Sequence, residues 1–326
     1  MTPEQRAFDL PALASAAARV TEAVDRSVVG QSAATRALMA AYVAGGHALV
    51  EGLPGIAKTL LARCFASSLG LQFSRIQFTP DLMPADVIGT NVFDQGSGSF
   101  RLVRGPVFTE ALMADEINRT TPKTQSALLE AMQEAQVTID GVSYPLGPPF
   151  LVIATQNPVE FEGTYPLPEA QLDRFLVRVD MGLPERSAEI EILRRAVAGE
   201  LVGWAAGVPL PAAAVSREEA AALRRGSALV HVAPELLEYL ALLAGTVRES
   251  PRVEIGISPR GTLALLEAAR AAALLAGREF VIPDDLKSFL VPCWGHRLRL
   301  TAESELEGHT ARRLLEETAA ALPVPR

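Results

Sequence analysis

Gly52-Leu53-Pro54-Gly55-Ile56-Ala57-Lys58-Thr59 follows the apolar stretch Ala48-Leu49-Val50-Glu51 and runs into a helical pattern from Leu60 to Leu69. A glycine-bearing turn between a strand and a helix makes a phosphate cradle, because successive backbone N–H groups and the helix N-terminus point at one anion. In such a cradle Lys58 reaches the β- and γ-phosphates of a nucleotide, and the Thr59 hydroxyl ligates Mg²⁺. The residue before the lysine is commonly glycine; here it is Ala57. Its Cβ demands either a negative φ or modest backbone strain.

Four further strand signals lie downstream. Phe73-Ser74-Arg75-Ile76-Gln77-Phe78 alternates with period two, and Ala111-Leu112-Met113-Ala114 ends at Asp115-Glu116. Phe150-Leu151-Val152-Ile153-Ala154 ends at Thr155-Gln156-Asn157, and Phe175-Leu176-Val177-Arg178-Val179 is the last. Strands alternating with helices at this spacing predict an α/β core, a parallel sheet with helices on both faces. Two hairpins decorate it: Asn91-Val92-Phe93 and Ser99-Phe100-Arg101-Leu102 flank a Gly/Ser turn, and Val137-Thr138-Ile139 and Val142-Ser143-Tyr144 flank Asp140-Gly141. Upstream, Leu10, Leu13, Ala17, Val20 and Val24 recur at helical spacing, Val28-Val29-Gly30-Gln31 interrupts, and a second helix is predicted from Ser32 to Val43.

Beyond Gly182 the strand signals fade. Leu236, Leu240, Leu243, Ala244 and Val247 form one helical stripe and Leu263, Leu266, Ala269 and Ala273 another; Leu306, Leu314 and Leu315 belong to a later helix. Gly199 to Ser216 reads as a mobile Gly/Pro/Ala-rich connection. The organisation expected is an α/β nucleotide-binding core over residues 1–182 and an all-helical domain over 183–326.

The strand ends carry the candidate chemistry. Asp115 is placed to hold Mg²⁺ through water and Glu116 to polarise an attacking water. Asn157 puts an amide beside the γ-phosphate. Arg174, in Gln171-Leu172-Asp173-Arg174-Phe175, is read either as a surface ion-pair residue or as an arginine reaching a neighbouring subunit's nucleotide. Arg260, in Ile257-Ser258-Pro259-Arg260-Gly261, opens a helix. It is read either as a helix-start arginine solvated at the surface or as a γ-phosphate sensor; a cation there opposes the helix dipole, and a phosphate partner would explain its placement.

Composition excludes several classes. The 326 residues are 49% hydrophobic and 21% charged, ordinary globular chemistry. Ala37 to Val50, the longest apolar stretch, is interrupted by Gly45-Gly46 and His47 and falls short of a bilayer span. Two cysteines and four scattered histidines offer neither a disulfide framework nor zinc-ligand spacing. With no secretory signal pattern at Met1–Arg6, the expectation is a cytoplasmic protein without membrane insertion. A net charge of −8 gives no basic track for nucleic acid, and the Arg194-Arg195, Arg224-Arg225 and Arg312-Arg313 pairs are flanked by acids.

The runs Asp115-Glu116-Ile117-Asn118-Arg119, Pro122-Lys123-Thr124-Gln125-Ser126-Ala127-Leu128-Leu129-Glu130-Ala131-Met132 and Gly163-Thr164-Tyr165-Pro166-Leu167-Pro168-Glu169-Ala170-Gln171-Leu172-Asp173-Arg174-Phe175 resemble the MoxR family of AAA+ ATPases. The resemblance extends from Val29-Gly30-Gln31 to the Ser258-Pro259-Arg260 helix and on to Leu286. It implies an AAA+ P-loop core with a helical lid, assembled as a homo-hexameric ring with ATP and Mg²⁺ at subunit interfaces. It also implies that the two hairpins are the insertions of the clade shared with magnesium chelatase and minichromosome maintenance helicases, a clade that Ala57 fits. By the family pattern Lys58 and Thr59 belong to Walker A, and Asp115 and Glu116 to Walker B. Asn157 is sensor 1, Arg174 the arginine finger and Arg260 sensor 2, acting in cis or in trans. Nucleotide contacts are expected over Gly52, Leu53, Pro54, Gly55, Ile56, Ala57, Lys58, Thr59 and Leu60, with Val29, Gly30 and Asp115.

Three functions follow from that resemblance and the residues. A chaperone-like remodeller would move pore-facing hairpins against a protein client, in maturation or metal-cofactor insertion, with a von Willebrand factor A domain adaptor on a separate chain. A nucleic-acid motor related to the helicases, or a magnesium-chelatase-like motor subunit, is the alternative. The net charge and a 137–144 hairpin without Lys or Arg oppose the helicase form. A nucleotide switch without turnover is opposed by Glu116 and Arg174, which serve hydrolysis rather than binding.

Overall fold

The structure is a computed structural model and describes residues 9–157, 163–200 and 209–325. Helices α1 (Leu10–Ser27) and α2 (Ser32–Val43) lead into β1 (Ala48–Glu51), the phosphate-cradle turn and α3 (Lys58–Ser68). There follow β2 (Phe73–Gln77), α4 (Pro84–Ile88), the hairpin β3 (Gly89–Asp94)–β4 (Ser99–Arg104) and β5 (Ala111–Asp115). Next come α5 (Pro122–Glu134), the hairpin β6 (Gln136–Ile139)–β7 (Val142–Pro145), β8 (Leu151–Gln156), α6 (Glu169–Leu172) and β9 (Val177–Asp180). The rest holds α7 (Arg186–Val197), α8 (Arg217–Gly226), α9 (Pro234–Glu249), β10 (Val253–Ile255), α10 (Pro259–Leu275), α11 (Pro283–Trp294), β11 (Arg299–Leu300), α12 (Ala302–Leu306) and α13 (Ala311–Ala321).

The five-stranded sheet is parallel, ordered β2-β5-β8-β1-β9, with Ala48 level with both Ile153 and Val177. β5 and all but the last residue of β8 are buried, which is why both read as unbroken apolar runs. Side chains alternate between two cores. Val50, Met113 and Ile153 face α1, α2, α3 and helices of the C-terminal region, whereas Leu49, Leu112 and Val152 face the side of α5 and the β6–β7 hairpin. The N-terminal stripe Leu10, Leu13, Ala17, Val20 and Val24 is buried as predicted, behind an Asp9 side chain that caps the Ala12 N–H. Asp140 and Gly141 both adopt positive φ, as a two-residue hairpin turn requires.

Three expectations need correction. The region after residue 182 is not all-helical, because β10 and β11 form an antiparallel pair. In α10 the inward face runs through Ala264, Leu265, Ala268 and Ala269, while Leu263 is 61% exposed. Leu306 ends the separate α12 and is 90% exposed, whereas Leu314 and Leu315 of α13 are buried. Of the Gly199–Ser216 connection, residues 201–208 lie outside the described residues. Its later part is pinned: Ser67 Oγ donates to the Pro211 carbonyl at 2.7 Å and the Ala214 N–H to the Ser68 carbonyl at 2.8 Å. Among the described residues no helix is long and apolar enough to cross a membrane.

His47 locks β1 to its surroundings from within. The Val152 N–H donates to Nδ1 at 3.1 Å, so the proton sits on Nε2 and is donated to the Met132 carbonyl, also at 3.1 Å. Burial, the largest influence, holds its pKa down at about 4. An unfolded chain therefore takes up a proton near pH 6.5 that the folded chain refuses until about pH 4, and stability falls as pH drops through that window. The stability margin of the wild type over His47→Gln is expected to shrink by up to about 2 kcal/mol between pH 7 and pH 5. Paired urea unfolding curves measure it, and an unchanged margin would contradict the assignment.

Candidate functional site

Because every strand of the sheet points the same way, the carboxyl ends of β1, β5 and β8 open onto one edge. The cradle leaves β1 there. Gly52 is a close-approach position: a Cβ would lie 2.2 Å from Ile56 Cδ1 and 2.6 Å from the Met181 carbonyl oxygen. Ala57 takes the strained alternative, φ +70° and ψ 26°, at the N-cap of α3. That conformation costs an alanine roughly 1–2 kcal/mol relative to right-handed backbone. α3 begins with no side-chain cap and no acid in its first turn, and its first residue is Lys58. An uncapped helix start carrying a cation fits a polyphosphate, which satisfies the end N–H groups and the charge together. The Lys58 ammonium donates to the Gly52 carbonyl at 2.5 Å, across the mouth of the turn. Leu60 is buried beneath it, and Leu53, Pro54 and Gly55 form the exposed rim.

The Val29-Gly30 turn borders the same edge. Gln31 Nε2 donates to the Gly182 carbonyl at 3.0 Å, and a Cβ on Gly30 (φ +80°) would strike Ala188 Cβ at 2.8 Å. Gly182 in turn follows Met181, whose N–H bonds Glu51. Val29 and Gly30 thus lie next to the segment that follows β9.

Asp115 ends β5 and is 7% exposed. Its Oδ1 accepts from the Thr155 hydroxyl at 2.5 Å, and its Oδ2 accepts from Arg75 Nη2 at 2.6 Å and Nε at 3.1 Å. Glu116 follows in left-handed backbone, φ 57°, with its N–H donating to Thr155 Oγ1 at 2.9 Å. Glu116 Oε2 accepts from Gln77 Nε2 at 2.7 Å and Arg119 Nη1 at 3.2 Å. Asn157 is buried just past β8, the strand between β5 and β1, and so lies between the carboxylates and the cradle. A hard cation needs oxygen donors, and Asp115 and Thr59 are the side chains that would offer them. Arg75, Gln77 and Thr155 escaped the sequence reading. Only the β2–β5 register, Gln77 opposite Asp115, brings the first two to the site.

Arg174 and Arg260 are not part of this cluster. The N–H of Leu176 donates at 2.8 Å to the carbonyl of His47, the residue before β1, so Arg174 sits at the amino edge of the sheet. Ser258 Oγ donates to Asp173 Oδ2 at 3.0 Å, which brings the start of α10, and with it Arg260, to that same edge. Roughly 13 Å of strand separates that edge from the cradle, at about 3.3 Å per residue.

The Thr155 hydroxyl serves both carboxylate residues, donating to one and accepting from the backbone of the next. Thr155→Val is expected to lose about 1–3 kcal/mol of unfolding free energy, since it strands the Glu116 N–H and a buried carboxylate oxygen. Thr155→Ser should retain most of it. Chemical denaturation of the pair decides, and equal losses would count against the hydroxyl's double role.

Residues 47–177 match the family described as "ATPase family associated with various cellular activities (AAA)", and residues 246–318 match an AAA lid domain. The chain is 42% identical to the uncharacterized protein YeaC of Bacillus subtilis, over 94% of each chain. It is also 42% identical to the chaperone MoxR1 of Mycobacterium tuberculosis, over 86% of this chain and 75% of that one. The crystal structure of a candidate ATPase from Cytophaga hutchinsonii superposes with a TM-score of 0.87, at 37% identity, over 98% of this chain and 97% of its own. An AAA+ core followed by a lid, with relatives of this closeness across most of its length, identifies the protein: the chain belongs to the MoxR family of AAA+ ATPases.

Proposed function

We propose that this protein hydrolyses ATP at composite sites between subunits of a homo-hexameric ring and uses the cycle to remodel protein clients. The observation that carries the proposal is the separation of charges across the sheet. The cradle, Asp115, Glu116 and Asn157 occupy the carboxyl edge, and Arg174 and Arg260 occupy the amino edge. Arginines so placed do not reach the nucleotide of their own chain, but two head-to-tail copies bring opposite edges together. This favours the trans reading for Arg260 as well as for Arg174.

In the proposed site Lys58 binds the β- and γ-phosphates, and the backbone N–H groups of the cradle and α3 hold the rest of the chain of phosphates. Mg²⁺, held by Thr59 and through water by Asp115, would neutralise charge on the phosphates. Glu116 accepts the proton of the attacking water while Asn157 orients it, and the incoming Arg174 stabilises negative charge building on the transferred group. Gln77 and Arg119 hold Glu116 Oε2 in the described state, which orients the carboxylate and leaves the proton to be taken up at Oε1.

A chaperone-like role is supported by the name of the Mycobacterium tuberculosis relative and by the hairpins. β3–β4 exposes Phe93 and Phe100, cross-strand partners packed edge-to-face at 5.3 Å on one face of the hairpin, and Val92 and Val103 on the other. Asn91 Nδ2 ties it at 2.8 Å to Asp140 at the tip of the β6–β7 hairpin. An exposed aromatic pair of this sort suits an unfolded polypeptide, delivered in this reading by an adaptor with a von Willebrand factor A domain in the cytoplasm.

Glu116→Gln is expected to bind ATP with near wild-type affinity and to hydrolyse it at least a hundredfold more slowly, on the scale of a lost general base. Unchanged turnover would remove Glu116 from the mechanism. Arg174→Ala and Arg260→Ala should each be inactive alone and regain turnover when mixed with Lys58→Ala subunits, which lack a working cradle but carry both arginines. Absence of rescue in assemblies shown to be mixed would refute the shared site.

A further inference from the structure

Arg297 lies in the turn between α11 and β11 and is 6% exposed. All of its nitrogens are engaged, and every acceptor but one belongs to Asp173, Phe175 or Leu176, which flank Arg174. Nε donates to Asp173 Oδ1 at 2.6 Å, and Nη2 to the Asp173 carbonyl at 3.0 Å and the Phe175 carbonyl at 2.7 Å. Nη1 donates to the Leu176 carbonyl at 3.1 Å and to the carbonyl of Cys293 at the end of α11. The adjoining His296 adds a bond from Nε2 to the Phe175 carbonyl at 3.0 Å.

The segment so held is short and irregular. It joins α6 to β9, and the carbonyls of Asp173, Phe175 and Leu176 would otherwise need partners of their own. A planar guanidinium with five donors in a fixed fork can serve several carbonyls and a carboxylate at once; an ammonium on a flexible stem cannot hold the same set. The other oxygen of the Asp173 carboxylate accepts from Ser258, whose hydroxyl also accepts the Gly261 N–H and so caps α10 two residues before Arg260. One aspartate therefore links the Arg174 segment, the α11–β11 turn and the start of α10.

We propose that Arg297 is a positioning residue for trans catalysis: through Asp173 it fixes Arg174 and yokes it to the α10 start, so that Arg174 and Arg260 reach the neighbouring subunit's nucleotide as one body. This rests on the proposed trans role of Arg174. The demand on geometry is severe, since a misplacement of about 1 Å can lower a rate on the order of a hundredfold. Arg297 touches no nucleotide, so its loss acts on the neighbour's turnover and not on nucleotide affinity in its own cradle.

The test uses full-length Arg297→Lys and, as a gentler change in the same link, Asp173→Asn, which keeps an oxygen for Arg297 Nε but removes the charge. Both should bind a fluorescent ATP analogue within about twofold of wild type while kcat falls by about tenfold to a hundredfold. In the nucleotide-free protein, amide exchange at Phe175 and Leu176 should quicken. Mixing either variant with Lys58→Ala subunits should restore turnover, because the intact arginines then come from the partner. Lost affinity in the variant's own cradle, unaltered exchange, or failure of this rescue while Arg174→Ala is still rescued would overturn the positioning role alone. Failure of both rescues would overturn the trans reading and this inference with it. If Arg297→Lys does not fold, Asp173→Asn carries the same measurements.

Discussion

The parallel register of β1 with β8 on one side and β9 on the other is the constraint from which the layout of the molecule follows. Parallel strands deliver all their carboxyl ends to one edge and all their amino ends to the other. A loop leaving β1, an acid ending β5 and an amide following β8 must therefore converge, although scattered over a hundred residues of chain. By the same geometry, anything entering β9 from its amino end is held away from them. His47 enforces the arrangement at the amino edge. Its ring bonds the Val152 N–H and the Met132 carbonyl, while its own carbonyl receives Leu176. A slip of one residue would turn Leu49 and Val50 to the wrong cores and break all three.

Two non-glycine residues at the carboxyl edge carry left-handed backbone, Ala57 at the helix start and Glu116 at the strand end. Such conformations persist only where surroundings over-determine them. Around Glu116 the restraints are visible in Thr155, Gln77 and Arg119, which hold backbone and carboxylate separately. Around Ala57 they are the buried Ile56 and Leu60 on either side of it. The strain at both points aims groups outward from the sheet edge that a relaxed turn would direct elsewhere. Asp115 is held differently, by a hydroxyl on one oxygen and a guanidinium on the other, so both of its oxygens are fixed in direction.

Much of this was legible in the order of residues. Lys58-Thr59, Asp115-Glu116 and Asn157 each follow an apolar run that is a strand, and local patterns of that kind survive without knowledge of the fold. Asp140-Gly141 and the α1 stripe are equally local. Arg75 and Gln77 were not legible, because their meaning lies in the pairing of β2 with β5 and nothing within β2 announces it. Arg297 reads as one more arginine among Gly295-His296-Arg297-Leu298-Arg299, yet its partners lie more than a hundred residues earlier. The inner face of α10 was misread for another reason. A helix as rich in alanine and leucine as Pro259–Leu275 offers more than one apolar stripe, and only the neighbours decide between Leu263 and Leu265.

The separation of the cradle from the arginines also bears on assembly. If the edge that binds a nucleotide and the edge that completes its site are different surfaces of one chain, the contact between copies must be head-to-tail. A two-fold dimer buries the same patch twice and would pair like edges. Head-to-tail contacts close as rings or run on as filaments, and the proposed ring is the closed form. Within such a ring the Arg297 link gives the contact a direction. The C-terminal helices of one subunit would feel its neighbour's nucleotide through Asp173 and Ser258, while their own cradle is reached through the other edge. Hydrolysis in one site would then release the arginines of the next subunit along, and the exposed Phe93–Phe100 hairpin of each copy would move in turn with it.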